Sequence, residues 1–219
     1  MNITWHGQSC FQIVSSQGKD SAVRIVIDPF DQTLGLKVPK LEADILLVTH
    51  SHHDHNNVKA VSGNPFVIDM PGEFEIKGAF VQGIPSFHDS KSGTERGLNT
   101  IYVIETEDMR ICHLGDLGQK ELTSEQIEEI GDIDVLMVPV GGVFTLEVAD
   151  AVKVISQIEP SITIPMHYDL PGLKTSSKLE GAEKFLKSMG VKSGETLPKL
   201  SVKKKDISAE EAKIIVLSN

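Results

Sequence analysis

Four of the chain's eight histidines fall at positions 50, 52, 53 and 55, inside the stretch Thr49-His50-Ser51-His52-His53-Asp54-His55-Asn56-Asn57. The stretch follows directly on the apolar run Ile45-Leu46-Leu47-Val48. A strand that ends in imidazoles and a carboxylate presents them from a loop braced by a rigid element, which is how metal sites are built. One histidine in such a place reads as part of a solvated turn. His-x-His-x-Asp-His at the mouth of a strand reads as a metal loop.

Spacing within the loop says how it would be used. His50 and His52, two apart, point the same way only if the segment is extended, and Asp54 and His55 follow where the chain turns. One short segment can therefore supply two ligands to each of two adjoining metals, and a pair about 3.5–4 Å apart can share one hydroxide. Imidazole nitrogen and carboxylate oxygen suit zinc, and also manganese or iron. Each metal needs further ligands, and His88, Asp116 and His167 fit, each standing at the end of a predicted strand.

Those strands are predicted at 3–5, 11–14, 23–27, 45–48, 66–68, 74–76, 80–84, 101–105, 110–114, 134–140, 161–165 and 214–217. Thr123 and Gln126 form a capping box that opens a helix ending at Gly131. Further helices are predicted over 146–158 and 178–189, with a short one at 58–61. Strands dominate the first half and alternate with helices afterwards, which predicts one α/β domain over 1–219 with a mixed sheet system.

Charge and composition exclude several classes. A net charge of −10 speaks against nucleic acid as the main partner. No window reaches the roughly 18 apolar residues of a membrane span, and the start Met1-Asn2-Ile3-Thr4-Trp5 lacks the pattern of an export signal. The expectation is a cytoplasmic protein with no membrane partner; the oligomeric state is not legible. Cys10 and Cys112 read as buried hydrophobes, with no Cys-x-x-Cys pair for a thiolate zinc site. Nucleophile-elbow, P-loop and dinucleotide fingerprints are all missing. His113 reads as a structural histidine, and His6, before a glycine turn, as one that approaches the cleft. Lys203-Lys204-Lys205 reads as a solvated face.

Taken together, Asp28, His50-x-His52-x-Asp54-His55, His88, Asp116 and His167 resemble the five motifs of the metallo-β-lactamase fold superfamily. The segments 4–11, 138–142 and 164–168 narrow the likeness to a small prokaryotic branch of zinc-dependent hydrolases that also contains ascorbate-6-phosphate lactonase. The resemblance implies an αββα sandwich, two mixed β-sheets flanked by helices, with the metals in a cleft at one edge. It implies a first metal on His50, His52 and His88, a second on Asp54, His55 and His167, Asp116 bridging, and Asp28 orienting the 50–55 loop. The two divalent ions would be zinc, with manganese or iron as alternatives.

The activity so implied is attack by a dinuclear-metal-bound hydroxide on an ester, lactone or phosphoester of a small anionic metabolite, with Asp54 and Asp116 as catalytic carboxylates. The competing readings are an iron-dependent oxidoreductase or dioxygenase on the same fold, and a metal-dependent binding protein without turnover. Lys91 and Arg96, in the polar loop 89–99, are the nearest cations for a substrate anion. Gly141-Gly142, ahead of a helix, are candidates to offer it backbone N–H groups. His53 is expected to face away. One position departs from the family pattern: Gln8 stands where relatives often carry histidine, which bears on substrate contacts.

Overall fold

Ile3 and Trp5, Phe11 and Ile13, and Val23, Ile25 and Ile27 recur at every second position, the period of a strand with one face in the core. These strands are β1 (Asn2–Trp5), β2 (Phe11–Ser16) and β3 (Ala22–Ile27). Beyond them lie β4 (Leu41–Glu42), β5 (Ile45–Leu47), β6 (Val61–Ser62) and β7 (Phe66–Ile68), then β8 (Gly72–Ile76), β9 (Ala79–Phe87), β10 (Leu98–Thr106) and β11 (Met109–His113). The second half runs α1 (Ser124–Ile130), β12 (Val135–Pro139), α2 (Val148–Ile158), β13 (Ile162–Met166), α3 (Ala182–Ser188), β14 (Glu195–Leu197), β15 (Leu200–Ser201) and β16 (Lys213–Leu217). This is a computed structural model, which describes residues 1–16, 18, 21–191, 195–207 and 212–219.

Two mixed sheets result. One has six strands in the order β15-β1-β2-β3-β5-β7, the other eight in the order β14-β16-β13-β12-β11-β10-β9-β8. Strands β3, β5 and β7 are parallel, as are β11, β12, β13, β16 and β14. The sheets share one core, in which Ile3, Phe11, Ile25 and Leu47 of the first are clustered with Val81, Tyr102 and Ile104 of the second. Tyr102 ties them together, its hydroxyl donating to the carbonyls of Val48 and Ile68. Every residue of β12 and β13 is buried, as expected of parallel strands covered on both faces.

The flanking layers are unequal. Residues of α1, α2 and α3 join the main core. The outer face of the first sheet (Val26, Leu46, Val48) is closed instead by Phe30, Leu34, Leu36, Leu41 and Ala43. That covering segment, residues 30–43, carries no α-helix, only the 3-10 turn Gln32–Leu34 and the two-residue strand β4. Among the described residues no helix is long and apolar enough to cross a membrane.

Several expected boundaries shift, each for a local reason. Strand β9 continues to Phe87, past the expected stop at 84, because β10 pairs with it as far as Phe87, although β8 leaves it at Gly83. The Pro85 carbonyl accepts from Gln126 of α1, so its missing N–H falls on a side that has no strand partner. Helix α3 begins at Ala182 rather than 178, because residues 178–181 are tied down in non-helical form. There the Glu180 N–H donates to the Gly141 carbonyl and the Glu180 carbonyl accepts from Asp169. Lys204 is not merely solvated, since its ammonium lies 2.8 Å from the Asp134 carboxylate.

Candidate functional site

The site is assembled where strands end. Asp28 follows β3, residues 49–55 follow β5, His88 follows β9, Asp116 follows β11, and His167 follows β13. Edges of this kind leave side chains free to converge while the sheets hold their backbones.

Asp28 is wholly buried and in the left-handed region, φ 47°. Its Oδ1 accepts from the Thr49 N–H at 2.8 Å, and its Oδ2 accepts from the Thr49 hydroxyl at 2.7 Å and faces His55 Nδ1 at 2.8 Å. Thr49 Oγ1 in turn lies 3.0 Å from His50 Nδ1. A carboxylate can only accept, so His55 carries its proton on Nδ1 toward Asp28. The Thr49 hydroxyl spends its proton on Asp28, so it accepts from His50 Nδ1. In its neutral form each ring is thereby left with an Nε2 lone pair turned inward.

On the opposite side, Gly115 lets the backbone turn so that Asp116 can enter. It has φ 57°, and a Cβ there would stand 2.3 Å from Asn99 Oδ1. Asn99 Oδ1 accepts from the Asp116 N–H, while its Nδ2 donates to Ser86 Oγ and to the Leu114 carbonyl. His113 is structural: its Nε2 faces the Ser9 carbonyl at 3.0 Å and its Nδ1 accepts from the Gly115 N–H at 3.1 Å. Burial lowers its pKa, in keeping with a neutral ring.

Asp116 Oδ2 is the point of convergence. It lies 3.2 Å from His55 Nε2, 3.2 Å from His167 Nε2, 3.3 Å from His88 Nε2 and 3.9 Å from His50 Nε2. Two groups of donor atoms form around it, His50 with His52 and His88, and Asp54 with His55, Asp116 and His167. Within each group the atoms all lie within 4.8 Å of one another. His50 Nε2 and His55 Nε2 are buried without a hydrogen-bond partner. The outer Nδ1 atoms of His88 and His167 have none either, so the bracing is confined to the 50–55 loop.

The electrostatics call for positive charge at this point. Burial drives His50 down to about 2, so its ring is neutral and can act as a donor. Burial also works against a charged His55, yet Asp116, Asp28 and Asp54 outweigh it and hold that ring well above its usual range. Burial pushes Asp116 up, and His167 with His55 overrides it to hold the carboxyl well below its ordinary value. Three carboxylates thus meet inward lone pairs in a buried cluster. Such an arrangement is costly unless a proton or a cation sits among them. The donor set of imidazole and carboxylate fits divalent transition-metal ions.

A cleft of about 400 Å³ opens over the cluster, its floor including His52, Asp54, His88, Asp116 and His167 and its walls Gln8, Leu34, Phe144 and residues 174–176. Arg96 stands on its rim with the guanidinium 4.4 Å from the centre of the Phe144 ring. The loop behind it is organised by Asp89, whose carboxylate accepts from the backbone N–H groups of Lys91, Gly93, Glu95 and Arg96. Lys174 also faces the cleft, its backbone anchored to the Leu34 carbonyl. Among the described residues, neither the Arg96 guanidinium nor the Lys174 ammonium has a carboxylate within 4.0 Å.

Four sequence expectations need correction. Lys91 does not line the cleft; its ammonium pairs with Glu95 at 2.6 Å on the surface. Gly141 and Gly142 do not line it either, and α2 begins only at Val148. Gly141 is glycine because a Cβ would stand 2.2 Å from the His167 carbonyl oxygen. His53 is exposed but lines the cleft rather than facing away. His6 lines a separate hollow with residues 37–40. The sequence reading passed over Thr49, Asn99, Phe144, Lys174, Thr175 and Ser176. Only the polar run 174–176, seven residues beyond His167, offered a visible signal for any of them.

A family model described as the beta-lactamase superfamily domain matches residues 2–167. A UPF0173 metal-dependent hydrolase of Thermococcus onnurineus is 31% identical, over 77% of this chain and 85% of the relative. One from Thermus thermophilus is 29% identical, over 81% and 92%. A crystal structure from Thermotoga maritima, described as belonging to the metallo-beta-lactamase superfamily, is 36% identical. It superposes with a TM-score of 0.77 over 99% of this chain and 97% of that one.

Proposed function

The chain belongs to the metallo-β-lactamase superfamily and is a metal-dependent hydrolase, and on that premise we propose that it holds two divalent ions and cleaves an ester, lactone or phosphoester bond in a small anionic metabolite. His50, His52 and His88 would hold one ion, Asp54, His55 and His167 the other, with Asp116 between them. The observation that carries this reading is the convergence of four imidazole Nε2 atoms on the single oxygen Asp116 Oδ2. Zinc is the expected metal, and manganese or iron suits the same donors.

Two such ions would bring the pKa of water between them from about 15.7 toward neutrality and polarise the oxygen that gains charge during attack. The chain's own groups do the rest. Asp28 keeps His55 in the required tautomer and, through Thr49, does the same for His50. Burial raises the pKa of Asp54, but neighbouring His55 lowers it further, so the carboxylate stays ionised at neutral pH. It can take a proton from the attacking water and hand it to the leaving group, though so acidic a group is a weak base. Arg96 and Lys174 supply positive charge on the rim for the substrate's anionic group. A cleft of about 400 Å³ suits a metabolite.

The test is turnover by the metal-reconstituted chain on phosphodiester, phosphomonoester and lactone substrates. Hydrolysis that disappears on chelation and in His52→Ala is the expected outcome. Metal binding without turnover across the panel would favour a binding protein, and bound iron with oxygen consumption would favour an oxidoreductase.

A further inference from the structure

Gln8 is a buried polar residue of the cleft that the metal reading leaves without work. It lies in the turn between β1 and β2 in the left-handed region, φ 52°, and is wholly buried. Backbone placement of this kind is unusual for a residue other than glycine and is kept where surroundings over-determine it. Here they do: its carbonyl accepts both from Trp5 Nε1 at 2.9 Å and from the His167 N–H at 3.0 Å. The turn is therefore locked to the same residue that closes the cluster.

The side chain is oriented as firmly as the backbone. Nε2 donates to Asp54 Oδ2 at 3.3 Å. A carboxylate only accepts, so the amide cannot be turned round without setting two acceptors face to face. That fixes the other end: Oε1 is a buried acceptor with no hydrogen-bond partner among the described residues, in a residue that lines the cleft. A buried acceptor kept unpaired is an expense that a folded chain seldom carries without a ligand to meet it.

We infer that Gln8 contacts the substrate, its Oε1 accepting a hydrogen bond from an O–H or N–H group beside the bond to be cleaved while its Nε2 holds Asp54. This rests on the hydrolase reading of the cleft and narrows it. The substrate class becomes a hydroxylated or N–H-bearing ester, lactone or phosphoester rather than one that offers only acceptors at that position. A site that hydrogen-bonds a substrate hydroxyl discriminates strongly against the analogue lacking it, because the site's own polar group is then stranded.

The test compares two probe pairs on the full, metal-loaded chain. α-Hydroxy-γ-butyrolactone and γ-butyrolactone are followed by pH-stat, and their open products, 2,4-dihydroxybutanoate and 4-hydroxybutanoate, by calorimetric binding. The wild type is expected to favour the hydroxylated member of each pair by about 10-fold or more. Gln8→Met removes both polar ends, and the ratio should fall to near one with metal content retained. Gln8→Asn keeps a residue suited to the left-handed turn but withdraws the amide, and should lose the ratio likewise. A wild type without preference, whether through equal binding or none, overturns the inference, as does a ratio that survives in both variants. Selective binding of the hydroxylated product with no lactone turnover would instead remove lactones from the proposed substrates and leave the assignment of Gln8 standing.

Discussion

Replacing Asp28 by asparagine tests the bracing of the candidate site without disturbing its shape. Asparagine tolerates the left-handed backbone found at this position, and its Oδ1 can still accept from the Thr49 N–H. The change falls on the other atom. An NH₂ group would replace Oδ2, which now faces both the Thr49 hydroxyl and His55 Nδ1. Donor would meet donor, so His55 would shift its proton to Nε2, the nitrogen 3.2 Å from Asp116. A ring protonated there cannot ligate. Loss of a partner of this kind costs about 10–100-fold in metal affinity, equivalent to roughly 1.4–2.7 kcal/mol. The loss should fall on both groups, directly on Asp54, His55, Asp116 and His167, and through Thr49 on His50, His52 and His88. Thr49→Val, which removes the hydroxyl that links Asp28 to His50 Nδ1 but leaves the Asp28–His55 contact, should weaken chiefly the group containing His50, His52 and His88. Competition with a chromogenic chelator, read as two successive binding steps, measures both. Asp28→Asn binding two ions with unchanged affinities would refute the tautomer argument.

Other consequences are accessible to simpler assays. Arg96→Gln and Lys174→Gln should each raise KM for an anionic substrate by about 10-fold with kcat little changed, the mark of binding shared by ground and transition states. The effect should shrink with added salt, and an unchanged KM in both variants would remove these residues from substrate binding. Asp89 should make stability depend on acid: desolvation pushes its carboxyl up, but the N–H groups of Arg96, Lys91, Glu95 and Gly93 hold it down at about 2. Its folded-state value lies below its unfolded value, so its contribution is present above about pH 4 and fades as pH falls toward 2. Urea midpoints of wild type and Asp89→Asn should therefore differ at pH 7 and converge in acid. A gap that stays constant with pH would contradict this.

Much of the architecture was legible because its signals are local. The capping box at Thr123 and Gln126 and the stop at Gly131 are found as written, since a cap is made by residues three apart. The apolar runs that became β12 and β13 needed no partner to be recognised. What escaped depends on contacts distant in sequence. Strands β14 and β15 are two or three residues long and exist through pairing with β16 and β1. The start of α3 was set by a bond between Glu180 and Gly141. In the site, histidine and aspartate spacing pointed to the cluster because ligand chemistry restricts residue type. Thr49 and Asn99 escaped because hydrogen-bonding roles do not. Gly141 misled for a related reason: a glycine needed for close approach to His167 looks, in sequence, like one that exposes backbone to an anion.

The claim beneath all of this is that the cluster around Asp116 Oδ2 is a two-metal site. Elemental analysis of the chain purified without chelator, then reconstituted and desalted, tests it most directly. The account predicts close to two transition-metal ions per chain, and loss of both in Asp116→Ala because that carboxylate faces the two groups at once. A folded chain that takes up no metal, or an Asp116→Ala variant that retains two ions, would contradict it.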